Sequence, residues 1–208
     1  MWRYGLVVVG ILVACCVEAA PGGSAPRVPR TGQNMAAEKH YKEGMRHRDA
    51  AWVYEEKMAG TKTEKDRAAY AKFIRHTYER ALSEFEQAIE MDDQYFQAYS
   101  SLGYVRRKTG NLVDALTAYD QALALNPTYA EAIEYRAEAY LELGRIEEAQ
   151  KAYGILASLN KPYAARLLEF AEQWAQSHVD EQIQKDLLTW VQEKREALGE
   201  VKDWVEKW

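Results

Sequence analysis

The chain has 208 residues, 48% hydrophobic and 28% charged, a formal net charge of −5, and two cysteines, Cys15 and Cys16. That composition suits one water-soluble domain, and the acidic balance argues against nucleic acid as a partner. No Gly-rich phosphate loop, nucleophile elbow, HExxH or CxxC occurs, which argues against an enzyme and points to no cofactor.

Residues 1–20 read as a secretory signal, with Arg3, then the apolar run Leu6 to Val17, then small residues. The run is too short to span a bilayer as a helix. Two cleavage readings stand side by side. Val17-Glu18-Ala19 suits a general signal peptidase, whereas Leu12-Val13-Ala14-Cys15 reads as a lipobox in which Cys15 is acylated and becomes the first mature residue. On the second reading the protein is exported to the periplasm or outer membrane and held there by an N-terminal lipid. The domain beyond contains no cysteine, so in an oxidising compartment its stability comes from packing alone. Residues 21–35 hold three of the five prolines and no helical period, the composition of a flexible tether.

From Ala36 the apolar positions Ala37, Tyr41, Gly44/Met45, Ala51/Trp52 and Met58 step by three and four, which predicts a helix to about Met58. Gly60-Thr61 stops it. A second helix starts near Thr63, with Glu64 and Asp66 in its first turn, and runs through Tyr70, Phe73, Tyr78, Ala81, Phe85 and Ala88. Lys57, Lys62, Lys65 and Arg67 cluster at the tip of this hairpin, as a solvated turn or as a docking arm for an acidic partner or lipid headgroups. His40, Glu43 and His47 share a helix side, too weak a pattern for a metal, and are read as surface side chains.

Between residues 78 and 163 a pattern returns every 34 positions. Ala81, Ala115 and Ala149 align, as do Phe85, Tyr119 and Tyr153, and Tyr95, Tyr129 and Tyr163, while Gly110 sits over Gly144. The middle unit carries Tyr99, Leu102-Gly103, Ala115, Tyr119 and Pro127, and with its period this resembles the tetratricopeptide repeat (TPR). Arg106 and Arg136-Ala137 depart from the family pattern, which has Tyr and Leu-Gly there. The resemblance implies an all-α, right-handed solenoid of about three helix hairpins over residues 36–95, 96–129 and 130–163. The first is elongated: Gly44 precedes Ala81 by 37 positions, whereas Gly103 precedes Ala115 by 12.

The same resemblance implies that the first helix of each pair lines a concave face where partners bind. The residues expected there are Tyr41, Met45, Gln97, Ser101, Tyr104, Glu131, Glu134, Tyr135 and Glu138. Glutamates in that number would repel the acidic tail bound by the family's chaperone clamps. A protein or peptide with basic and apolar residues fits better, unless the glutamates simply solvate a helix face.

Residues 164–208 are expected to cap the solenoid. Lys161-Pro162 starts a helix with Leu167, Leu168, Ala171 and Trp174 inward, and Asp180 opens a longer one whose apolar stripe reaches Trp204 and Trp208 at the chain end. Those two tryptophans are expected to pack along the solenoid or to meet a partner or membrane. Signal and repeats together resemble small bacterial TPR lipoproteins, which implies an adaptor or scaffold of the cell envelope. The alternative is a structural subunit of a membrane-associated complex, using the long hairpin and the last helix as fixed contacts.

Overall fold

The computed structural model describes residues 31–178 and 180–199. The signal segment with Cys15, most of the tether, and Trp204 and Trp208 lie outside the described residues. Within them are eight helices: α1 Thr31–Gly60, α2 Glu64–Met91, α3 Phe96–Lys108, α4 Leu112–Leu125, α5 Ala130–Glu142, α6 Ile146–Leu159, α7 Lys161–His178 and α8 Glu181–Leu198. Helix pairs α1–α2, α3–α4, α5–α6 and α7–α8 stack in chain order, and each pair touches the next. The fold is an all-α solenoid of the tetratricopeptide type.

The ends of the helices follow from their residues. Thr63 accepts a hydrogen bond from the Asp66 N–H at 3.2 Å, and Asp180 accepts from the N–H groups of Gln182 and Ile183 at 3.0 Å, so each satisfies donors of a first turn. At the end of α3, Gly110 takes φ 84 while its N–H reaches Arg107 O and the Asn111 N–H reaches Arg106 O. This is the left-handed glycine termination. It repeats at Gly144, with Leu141 and Tyr140 as acceptors.

Packing within each pair explains the aligned columns. Ala81, Ala115 and Ala149 are buried where the helices approach, and Phe85, Tyr119 and Tyr153 fill the space beside them. A Cβ placed on Gly103 would lie 2.7 Å from Tyr119 Cε1, and one on Gly44 would lie 2.6 Å from Phe85 Cε1. Only glycine lets those rings seat. The two departures from the family pattern are also accounted for: Arg106 reaches Glu86 of α2 at 3.4 Å and Arg136 reaches Asp120 of α4 at 2.6 Å, each tying a first helix to the preceding second helix.

Three features differ from the sequence expectation. Helix α1 already includes Thr31, the first described residue and a position inside the expected tether; Thr31 to Met35 contain no proline to forbid helical geometry. The last helix, expected to run to the chain end, stops at Leu198, where Gly199 adopts φ 72 and its N–H caps Arg195 O. The expected cap is a fourth pair built like the others. Ala171 and Leu187 continue the columns of Gly103/Ala137 and Tyr119/Tyr153, and both are buried. Trp174 is buried in the same cluster, and the Trp190 ring meets Tyr153 edge-on at 5.3 Å.

Two glycines of this fold give opposite expectations. Replacing helical Gly103 by Ala gains about 0.5–1 kcal/mol of helix propensity but forces a buried ring aside, typically costing about 1–3 kcal/mol, so a lower urea midpoint is expected. Gly154, exposed on α6, has nothing within 4 Å of the place a Cβ would take, so the opposing effect is missing. Gly154→Ala should raise the midpoint.

Candidate functional site

The inner face is formed by α1, α3, α5 and α7, the first helices of the four pairs. At its α1 edge, Tyr41 is partly exposed and its ring lies 5.8 Å from Phe85 and 4.9 Å from Tyr95. Met45, also partly exposed, receives the Ser101 hydroxyl at 3.8 Å. Gln97 and Glu131 are partly exposed too, and the Tyr129 hydroxyl donates to Glu131 at 2.6 Å. Burial pushes the Tyr41 phenol up, opposed by the nearby Ser101 hydroxyl and reinforced by Glu131.

The remaining expected residues are not open to a partner. Ser101, Tyr104, Glu134, Tyr135 and Glu138 are buried, Glu134 completely. Tyr104 accepts a hydrogen bond from Trp52 Nε1, and its ring lies 5.0 Å from Tyr135. The expectation of a row of exposed glutamates is therefore corrected to Glu131 alone. The other two face arginines of this same chain. Arg107, on α3 and 7% exposed, pairs with Glu138 and donates through Nη1 to Glu142 at 2.5 Å. Its guanidinium also stands 5.6 Å from the Tyr104 ring, 5.9 Å from Tyr135 and 5.5 Å from Phe170. Arg166, on α7, brings Nε to 2.9 Å from Glu134 Oε1. That ion-pair contact lacks hydrogen-bond alignment, so both Glu134 oxygens are buried without a donor.

The electrostatics follow from this crowding. Burial first, and Glu138 second, push the Glu134 carboxyl well above the usual carboxylate range, with Arg166 opposing them. Burial also raises Glu138, against the pull of Arg107 and Arg166. For Arg107, burial would lower the pKa, but Glu138, Tyr119 and Glu142 more than offset it and hold the guanidinium firmly charged.

Sequence reasoning missed Arg107, Arg166 and Glu142, although two of them break a column. Arg107 stands where the next units have Leu141 and Ala175, and Arg166 stands where the preceding units have Ala98 and Ala132; all four of those residues are buried. A charge in a column that is otherwise apolar must find a partner inside. On α1, the His40 ring lies 2.8 Å from Glu84 of α2. Among the described residues no three His, Cys, Asp or Glu side chains gather as metal ligands.

Residues 103–144 match the model of the TPR repeat family. No curated protein matches the chain. Two solved structures of MamA are similar to it: one is 19% identical with a TM-score of 0.46, covering 73% of this chain and 90% of that one. The other is 18% identical with a TM-score of 0.47, covering 80% and 97%. Fold and repeat match together define a TPR-type helical-hairpin array, a class that presents extended surfaces for binding proteins.

Two variants test the buried network. Arg107→Ala leaves Glu138 buried without its cation, which typically costs about 3–5 kcal/mol, so a large drop in the urea midpoint is expected. Glu134 has a raised folded-state pKa. Its contribution to stability is thus fully present below the unfolded value of about 4.3 and is lost as pH rises through the folded value. Glu134→Gln, neutral throughout, should become progressively more stable relative to wild type between pH 5 and pH 9. A constant difference across that range would show that Glu134 is already ionised in the folded protein and that its pKa is not raised.

Proposed function

We propose that this protein is a non-catalytic scaffold of the bacterial cell envelope that recruits another envelope protein along the open part of its inner face. The observation that carries this reading is the strip formed by Tyr41, Met45, Gln97 and Glu131, partly exposed on three successive pairs while the rest of that face is closed by internal arginine–glutamate contacts. Tyrosine and methionine offer apolar contact area, and Glu131 favours a basic residue on the partner. A photo-crosslinking residue at Gln97 should capture that protein in cells. Tyr41→Ala with Glu131→Gln should reduce capture about tenfold, the loss expected for one aromatic anchor and one partly exposed charge, with helix content retained although the thermal midpoint falls as the ring leaves Phe85 and Tyr95. Undiminished capture would remove the strip from the reading.

Export and anchoring at Cys15 belong to the same proposal, supported by Leu12-Val13-Ala14-Cys15 and the proline-rich residues after it. Cys15→Ser should abolish acyl labelling in a bacterial host; an intact mass showing cleavage after Ala19 in the wild type would exclude the lipid. A second reading, a fixed subunit of a larger complex, is favoured by the long α1–α2 hairpin, which exposes Val53 and Phe73. Light scattering after size exclusion separates the two, since a monomer supports the recruiting scaffold.

A further inference from the structure

Between the last turn of α5 and the second half of α7 opens a cavity of about 490 Å³, lined by Glu142, Phe170, Gln173, Trp174 and Ser177. Its size falls within the range of about 300–1,000 Å³ typical of ligand sites. Its walls combine two aromatic rings with a carboxylate. Glu142 gives Oε1 to Arg107 and remains partly exposed at its side chain, and a carboxylate has acceptor sites beyond one bond.

The fold already uses this combination to hold guanidinium groups. Arg107 sits among Tyr104, Tyr135 and Phe170 and pairs with Glu138 and Glu142. Arg48, which falls on Arg107 when Gly44 is set over Gly103, is only 3% exposed; it lies 4.4 Å over the Trp52 ring and donates to Asp49. Rings and carboxylates suit arginine better than lysine, because the planar guanidinium stacks on a ring and forks onto a carboxylate while holding its hydration loosely. Beside the cavity, Arg107 pairs with both Glu138 and Glu142, and the partly exposed Glu142, which lines the cavity, keeps acceptor capacity for a second cation.

We infer that this cavity is an anchor pocket for one arginine of the protein partner, its guanidinium forked onto Glu142 beside Phe170 and its aliphatic stem against Trp174. The inference rests on the scaffold reading above, in which a protein lies along the inner face. It adds the chemistry of one partner residue and a position at the α7 side of that face.

The probe is N-acetyl-arginine amide, with N-acetyl-citrulline amide as the uncharged control of nearly the same shape. Both are titrated into the full-length, nitrogen-15-labelled protein, and the Gln173 side-chain amide and Trp174 indole signals are followed, the latter assigned with Trp174→Phe. The arginine amide should shift both signals saturably, and the citrulline amide should bind about tenfold more weakly, as expected when one charge-assisted bond is lost. Glu142→Gln should abolish that preference, and Gln173→Lys, at an exposed position, should block binding by placing a cation at the pocket. No shift with the arginine amide, or equal shifts with both probes, overturns the pocket. If a protein is captured at Gln97 while the arginine amide leaves Trp174 unmoved, the pocket fails and the scaffold reading stands. Saturable arginine binding with no protein captured at Gln97 upholds the pocket and sinks the scaffold reading.

Discussion

One cation, Arg107, ties three of the four helix pairs together. It leaves α3, pairs with Glu138 and Glu142 of α5, and stands against the Phe170 ring of α7. A guanidinium so deeply buried would be costly alone, since desolvation of an ion takes several kcal/mol that only close, well-bonded partners offset. Once Arg107 is present, Glu138 must stay where it is, and so must the rings that shield both. A plain stack of alanine and tyrosine contacts could slide by small steps. The ion pairs fix one register between units, because a slip would strand buried charge.

The same network decides which part of the inner face is available. Arg166 draws α7 onto Glu134, and Trp52 bonds to Tyr104 from the α1 side. What stays open is the α1–α3–α5 strip at one edge and the cavity beside Glu142 at the other. The two are different chemically, the first tyrosine- and methionine-lined, the second aromatic with a carboxylate. A protein contacting both would have to lie across the closed centre, where Tyr104 and Tyr135 offer little accessible surface.

The periodic parts of this arrangement are legible in the sequence because they are set by neighbours at fixed spacing. Alanine and glycine columns mark close helix contacts, and Gly110 and Gly144 mark the turns that precede α4 and α6. The fourth pair is harder to read, since Leu187 replaces the aromatic of its column and no glycine turn precedes α8. For the candidate site, periodicity puts the residues on the right helices but with the wrong exposure. Face assignment by period says that Glu134 and Glu138 point inward; it cannot say that Arg107 and Arg166, far away in sequence, arrive to bury them. That information is present only as two charges interrupting apolar columns.

The elongated first hairpin shows the same division between local and distant causes. Its lower part is fastened to the solenoid: Glu55 accepts the Tyr78 hydroxyl at 2.9 Å and pairs with Lys108 of α3 at 2.9 Å, and Trp52 reaches Tyr104. Above Glu55 the two helices have chiefly each other. Tyr54 stacks on Phe73 at 3.8 Å between centroids and meets Tyr70 at 5.8 Å, with the Lys57 ammonium 4.5 Å over its ring. Phe73 nevertheless remains 40% exposed and Val53 48%. A two-helix segment with one aromatic clamp and half-open apolar residues buries too little surface to match the stability of the stacked pairs. Local opening is therefore expected to begin at the hairpin tip and to stop at Glu55, where the contacts to α3 make further opening break the solenoid itself.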